Sequence, residues 1–380
     1  MPLARLGSLV VPRYLRAMHV GMCAFFQNLG GRHTDREVYR HEIALADLAE
    51  PLGFESIWAA EHHFTPYDMC PSTAQFLTYM AGRTRQVRLG SMVVVLPWHD
   101  PVRVAEEITV LDHLSDGRVI LGLGRGLARA EFEAFRVPMD ESRERFVEYA
   151  DAILGALETG YIEYQGAHYR QPRAAIRPSP FRSFRGRTYV AAVSPESASI
   201  VARFGLGVLI IPQKPWDTTV RELADYRRLY RETNGGAAAP RPLIATFVAC
   251  HEDGERAREM LETYIRRYCR STLEHYEFAN AGLASIKGYE YHGALAGNIA
   301  RHGEDRFVQF LADLQAWGTP DEVYERVCEH QRLADSGMLI AIFSYGAMPH
   351  DEARRSMRLF AETVLPRLKA RPPHSPFDAA

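Results

Sequence analysis

Glu61-His62-His63 directly follows an apolar run, Phe54 to Ala60, and places one carboxylate beside two imidazoles. An imidazole there suits general acid or base work near neutral pH. A histidine pair is also a frequent structural element. Metal binding is a third reading, but Glu-His-His is not H-E-x-x-H and no other His/Asp cluster has ligand spacing, so no metal is expected.

Gly122-Leu123-Gly124-Arg125-Gly126-Leu127 offers backbone N–H groups and an arginine fork, suited to a phosphate or a flavin edge. Its glycines fit G-x-G-x-G rather than the dinucleotide fingerprint G-x-G-x-x-G, and it lies far from the first βα turn, so a Rossmann reading is weak. A tight turn needed for packing explains the glycines equally well. Ser194-Pro195-Glu196-Ser197 brings two hydroxyls to a helix start, a phosphate cradle or simply an N-cap.

Apolar, β-branched runs alternate with amphipathic stretches, which predicts repeated βα units. Strands are expected at 19–26, 54–60, 87–96, 119–123, 189–193, 207–211, 243–249 and 338–343. Helices are expected at 37–52, 72–83, 102–114 and 140–158, from about Pro195, Trp216 and Gly254, and at 351–368; 172–187 reads as a surface loop. Eight units without a composition break point to an α/β protein, a (β/α)8 TIM barrel. Residues 271–317 have no strand slot in this count, which suggests a lid-like insertion before the eighth unit. The expected division is an extension at 1–17, one barrel domain at 18–370 and a tail at 371–380; Met18 is an alternative start. Reacting groups of such barrels sit at the carboxyl ends of strands, where all three motifs fall.

With 47% hydrophobic and 24% charged residues, the 380-residue chain has the composition of a globular protein. A formal charge of -2 gives no support for nucleic-acid or membrane partners. The five cysteines lack C-x-x-C spacing, so reduced thiols and a cytoplasmic location are expected. No apolar run approaches the ~18 residues of a membrane span.

Taken together, Glu61-His62-His63-Phe64, Val95-Leu96-Pro97, Pro101-Val102-Arg103, Leu111-Asp112, Gly117-Arg118 and Gly124 to Leu127 resemble the bacterial luciferase family, closest to its α-subunit branch. Ser142-Arg143, Gly318-Thr319-Pro320 and Ser356-Met357-Arg358 continue the pattern in order, so the resemblance spans about 18–369. It implies a barrel monooxygenase that takes reduced FMN (FMNH2) from a separate NAD(P)H:flavin reductase. The flavin would activate molecular oxygen as a C4a-hydroperoxide to oxygenate a small molecule. It also implies a homodimer through the helices of the first barrel half.

Residue by residue, the resemblance puts His62 at the catalytic position and Arg125, Glu196 and Ser197 at phosphate-binding positions, with Arg143 and Ser194 near enough to assist. Glu61 and His63 would position His62. Leu127 would approach the flavin ring, and Met92-Val93 would form a cis peptide beneath it. Residues 271–317 would be a mobile lid.

Gly124 stands where light-emitting α subunits have cysteine, Ala128 where they have tyrosine, and Asp100 where they have a histidine. The first two would enlarge the pocket, which favours a bulkier, natural-product-like substrate over a long-chain aldehyde. The alternatives are an F420-dependent oxidoreductase on the same barrel and a non-catalytic flavin-binding subunit.

Overall fold

The computed structural model describes residues 17–191 and 195–370. The apolar runs form eight parallel strands: β1 (His19–Ala24), β2 (Ser56–Ala59), β3 (Arg88–Ser91), β4 (Val119–Gly124), β5 (Thr188–Ala191), β6 (Gly207–Ile210), β7 (Leu243–Cys250) and β8 (Met338–Ile342). Each pairs with the next, and β8 returns to β1 in a register running from His19↔Met338 to Cys23↔Ile342. Helices lie between successive strands, so the architecture is the expected TIM barrel.

The interior beneath the mouth is filled by side chains. On β2, Trp58 lies one inward position below Ala60 and is fully buried. Its ring takes the space of the neighbouring strands' missing side chains. A Cβ on Gly90 would fall 2.3 Å from that ring, and one on Gly21 would fall 2.2 Å from Ser56 Oγ. Tyr189 packs in the same way against Gly207, where a Cβ would approach to 2.3 Å.

Several expectations are corrected. The run 87–96 is not one strand: pairing stops after Ser91 and resumes at Val94–Val95, with a cis peptide between Met92 and Val93. Residues 172–187 are not all loop, because Tyr161–Gln165 and Arg170–Ala175 form an antiparallel hairpin. A short helix, α1 (Arg129–Phe135), precedes the helix at Ser142–Thr159. The closing helix is two pieces, His350–Thr363 and Leu365–Lys369, the second with proline in its first turn.

Residues 271–317 finish the helix α2 (Arg266–His275), then form a 3-10 turn and the helices α3 (Tyr291–His302) and α4 (Glu304–Asp313). Contrary to the strand count, this segment reaches a short strand, Ala316–Gly318, which pairs with the end of β7 outside the barrel. It is tied to the mouth by Tyr289, whose hydroxyl donates to the Gly126 carbonyl (3.0 Å), and by an Arg129–Glu277 ion pair (2.7 Å). Of the expected extension only Ala17 falls within the described residues; the tail from 371 lies outside them.

Candidate active site

His62 leaves the end of β2 into the mouth, where four side chains close on its ring. Its Nδ1 lies 3.1 Å from Glu131 Oε1 and 3.2 Å from His275 Nε2, while Nε2 lies 3.2 Å from the Tyr276 hydroxyl. Tyr67 stands edge-on to His62 at 4.9 Å and stacks flat on His275 at 4.2 Å. Glu131 comes from α1 and is 1% exposed; His275 and Tyr276 come from the end of α2.

Burial alone would favour neutral His62, but the Glu131 hydrogen bond and charge outweigh it and hold the imidazole above its ordinary value. Burial, then the His62 charge, push His275 down to about 2, so it stays neutral. Burial lifts the Tyr276 phenol well above its usual range, which keeps its proton on oxygen. Asp68, buried behind the cluster, is raised to about 7 by desolvation. One Asp68 oxygen accepts from the Phe26 N–H (3.0 Å), and the other has no hydrogen-bond partner among the described residues. The donor atoms of His62, Glu131 and His275 lie within 4.8 Å of one another, a spacing a metal ion could also share. Each is already hydrogen-bonded within the cluster.

Glu61 does not touch His62. Its carboxylate takes His63 Nε2 (3.1 Å), His99 Nε2 (2.7 Å) and the Val95 N–H (3.0 Å), tying the chain after β3 to the end of β2. Desolvation would raise its pKa, yet these hydrogen bonds hold the carboxyl below its ordinary value. His63 reaches the cluster through its backbone, whose N–H donates to Glu131 Oε1 (2.8 Å).

Arg125 and Arg143 both donate to the Gly288 carbonyl, at 2.9 and 3.4 Å. Arg125 also lies over the Tyr289 ring at 4.1 Å, and Arg143 meets Glu196 at 3.5 Å. Two guanidinium groups share one carbonyl and one half-exposed carboxylate, so cationic capacity is left for an anion. Burial lowers the Arg125 pKa, which is still that of a permanent cation.

For two of the glycines the packing reading holds. A Cβ on Gly122 would sit 2.0 Å from the Ser91 carbonyl oxygen, and one on Gly124 would sit 2.2 Å from Val93 Cγ2. The Gly122 N–H is already bonded to Ser91 Oγ at 2.8 Å. Gly124 therefore makes room for Val93, and it lines the cavity beside it. Ala128, in contrast, is fully buried ahead of α1 and does not line the cavity.

His62, Met92, Val93, Arg125, Leu127, Arg143 and Ser197 line a single cavity at the barrel mouth, about 1320 Å³ with its opening to solvent included. Phe25, Phe146, Phe247 and Tyr268 supply much of its apolar wall. Glu196 joins it through Arg143, and Ser194 lies outside the described residues. Glu131, His275 and Tyr276 are functional candidates that sequence reasoning missed.

The family model for luciferase-like monooxygenases matches residues 18–337. The alkanal monooxygenase alpha chain of Photobacterium leiognathi is 28% identical, over 92% of this chain and 98% of its own. The monooxygenase RslO1 from Streptomyces bottropensis superposes with a TM-score of 0.74 at 28% identity, covering 92% of this chain and 99% of its own. Two further structures share the fold alone. The FMN-bound oxygenating constituent of 3,6-diketocamphane monooxygenase from Pseudomonas putida has a TM-score of 0.72 at 16% identity, over 92% and 99% of the two chains. An F420-dependent secondary alcohol dehydrogenase has a TM-score of 0.69 at 14%, over 92% and 98%.

Proposed function

This chain belongs to the luciferase-like monooxygenase family, and from that premise we propose that it is a two-component monooxygenase using FMNH2 and O2 on a small, natural-product-like molecule. The observation that carries the reading is a single apolar cavity lined by a proton-holding histidine, two arginines and the Met92–Val93 turn. Reduced FMN, delivered by a separate NAD(P)H:flavin reductase, supplies the electrons that activate O2, so that one oxygen enters the substrate and the other leaves as water.

The chain's own residues bind, orient and exclude water. Arg125 and Arg143 take the phosphate, with Glu196 and Ser197 at the adjoining helix start and Ser194 close by in sequence. Met92, Val93 and Leu127, on the wall of the same cavity, would hold the flavin ring. His62 holds and delivers the proton from Nε2, with Tyr276 as its neighbour; Glu131 is a positioning residue that fixes the ring through Nδ1. Residues 18–370 act as one domain, and 271–317 serve as its movable lid, which carries His275 and Tyr276 onto His62.

Five buried cysteines with no disulfide between them fit a reducing cytoplasm, and no helix among the described residues is long and apolar enough to cross a membrane. Exposed Tyr79, Val110 and Leu114 on the second and third barrel helices suit a homodimer face.

Anaerobic titration with FMNH2 and, separately, with reduced F420 tests the proposal. Binding of FMNH2 that Arg125→Ala weakens is the expected result. Tight F420 binding without affinity for FMNH2 contradicts it.

A further inference from the structure

A second chamber, about 820 Å³ with its opening to solvent included, adjoins the first, between the end of β6, the helix Trp216–Thr233 and the segment over the mouth. Leu127, Ile211 and Gln213 line both, so the two cavities share a wall. Nothing in the flavin reading uses it. We propose that this chamber is a substrate subsite that takes the distal arm of an uncharged, flat aromatic molecule bearing a hydroxyl group. The proposal rests on the flavin reading for what reacts next door, but not for what fills the chamber.

The walls set the shape. Phe278, Tyr226, Tyr291, His292 and Phe307 supply aromatic faces, and His292 stacks on Phe278 at 5.9 Å with 19° between the planes. Such walls favour an arm that stacks.

Charge is cancelled inside. Lys214, 8% exposed, meets Glu222 at 2.6 Å and sits 4.6 Å from the Tyr291 ring. A further charge on the arm would have to be desolvated without a free counterion, which selects against anions and cations alike.

Hydrogen bonding gives the hydroxyl preference. His292 Nδ1 lies 3.3 Å from the Tyr289 carbonyl oxygen, which can only accept, so the ring proton sits on Nδ1. Nε2 is then left as an acceptor for a donating O–H. Burial depresses the His292 pKa to about 4, which keeps that lone pair available at neutral pH. Gln213, on the shared wall, makes no side-chain hydrogen bond among the described residues and can serve an arm crossing between chambers.

The test uses 2-naphthol and naphthalene as probes, in equilibrium dialysis against the full chain with and without saturating FMN. The expected result is that 2-naphthol binds alongside FMN and more tightly than naphthalene, by about 2–10-fold, the worth of one hydrogen bond. Leu295→Trp, which fills only the second chamber, should weaken both probes about tenfold or more and leave FMN affinity unchanged. His292→Phe keeps the aromatic shape and should erase the preference for 2-naphthol. Displacement of 2-naphthol by FMN, an unaltered affinity in Leu295→Trp, or no binding of either probe overturns the proposal. If the probes behave as expected but neither FMN nor, under anaerobic conditions, FMNH2 binds, the chamber stands and the flavin reading falls.

Discussion

The barrel at Trp58 and the mouth above Ala60 use burial in different ways. At Trp58 the interior is a fit of volumes, with a large ring set against Gly21 and Gly90. At the mouth, buried positions hold ionisable groups instead: Glu131, Glu61 and Asp68 are all under 5% exposed, and each faces a histidine or a backbone N–H. Volume substitutions are therefore expected to change stability, and isosteric substitutions at the mouth to change chemistry.

The largest effects should separate the two regions. Trp58→Ala opens a cavity in the packed interior and should cost about 3–5 kcal/mol in urea unfolding. Activity per folded molecule should stay near that of the parent; a large fall would tie the packed interior to the chemistry. His62→Ala removes the proton carrier and should lower kcat for substrate oxygenation about 10²–10⁴-fold. Full oxygenation by that variant would end the role assigned to His62.

Glu131→Gln keeps an acceptor for the His63 N–H but removes the charge that offsets burial of His62. The parent holds its proton to a pH above the ordinary histidine value, and the variant should lose it at a lower pH. The alkaline limb of the rate profile should move toward acid, and an unmoved limb would disconnect Glu131 from the titration.

Asp68 sharpens the contrast through stability. Its folded pKa of about 7 lies above the unfolded value of about 3.9. The native state therefore binds the extra proton between those values, so this contribution to stability falls as pH rises from about 4 to about 7 and is flat above. Asp68→Asn needs no proton, so the fall in Tm between about pH 5 and pH 7.5 should shrink. Tyr276→Phe is expected to have the smallest effect on kcat, since it removes one hydrogen bond to His62 and leaves the Glu131 and His275 contacts in place.

The barrel was legible because buried parallel strands read as short β-branched runs and the helices between them carry caps, as at Asp100-Pro101. The break at Met92-Val93 is invisible in periodicity, since the run is apolar on both sides; only the family resemblance pointed to it. The hairpin at 161–175 was hidden by exposed polar residues and by Pro172 within a strand. His62 could be read because it directly follows a strand. Glu131 could not, because α1 has seven residues and no side-chain N-cap to announce it. His275 and Tyr276 lie 213 and 214 residues from His62, and no local pattern brings them there. Ligand-facing backbone and tight packing were equally open for the glycines at 122 and 124; close approach of the Ser91 carbonyl requires Gly122, while Gly124 packs on Val93 and also lines the cavity.

The most direct measurement is the reoxidation of FMNH2 in stopped flow, after mixing the anaerobic protein–FMNH2 solution with O2. A cavity that binds FMNH2 through Arg125 and keeps water from it should slow reoxidation well below that of free FMNH2, and Arg125→Ala should restore the free rate. Identical rates with and without the protein would contradict the account.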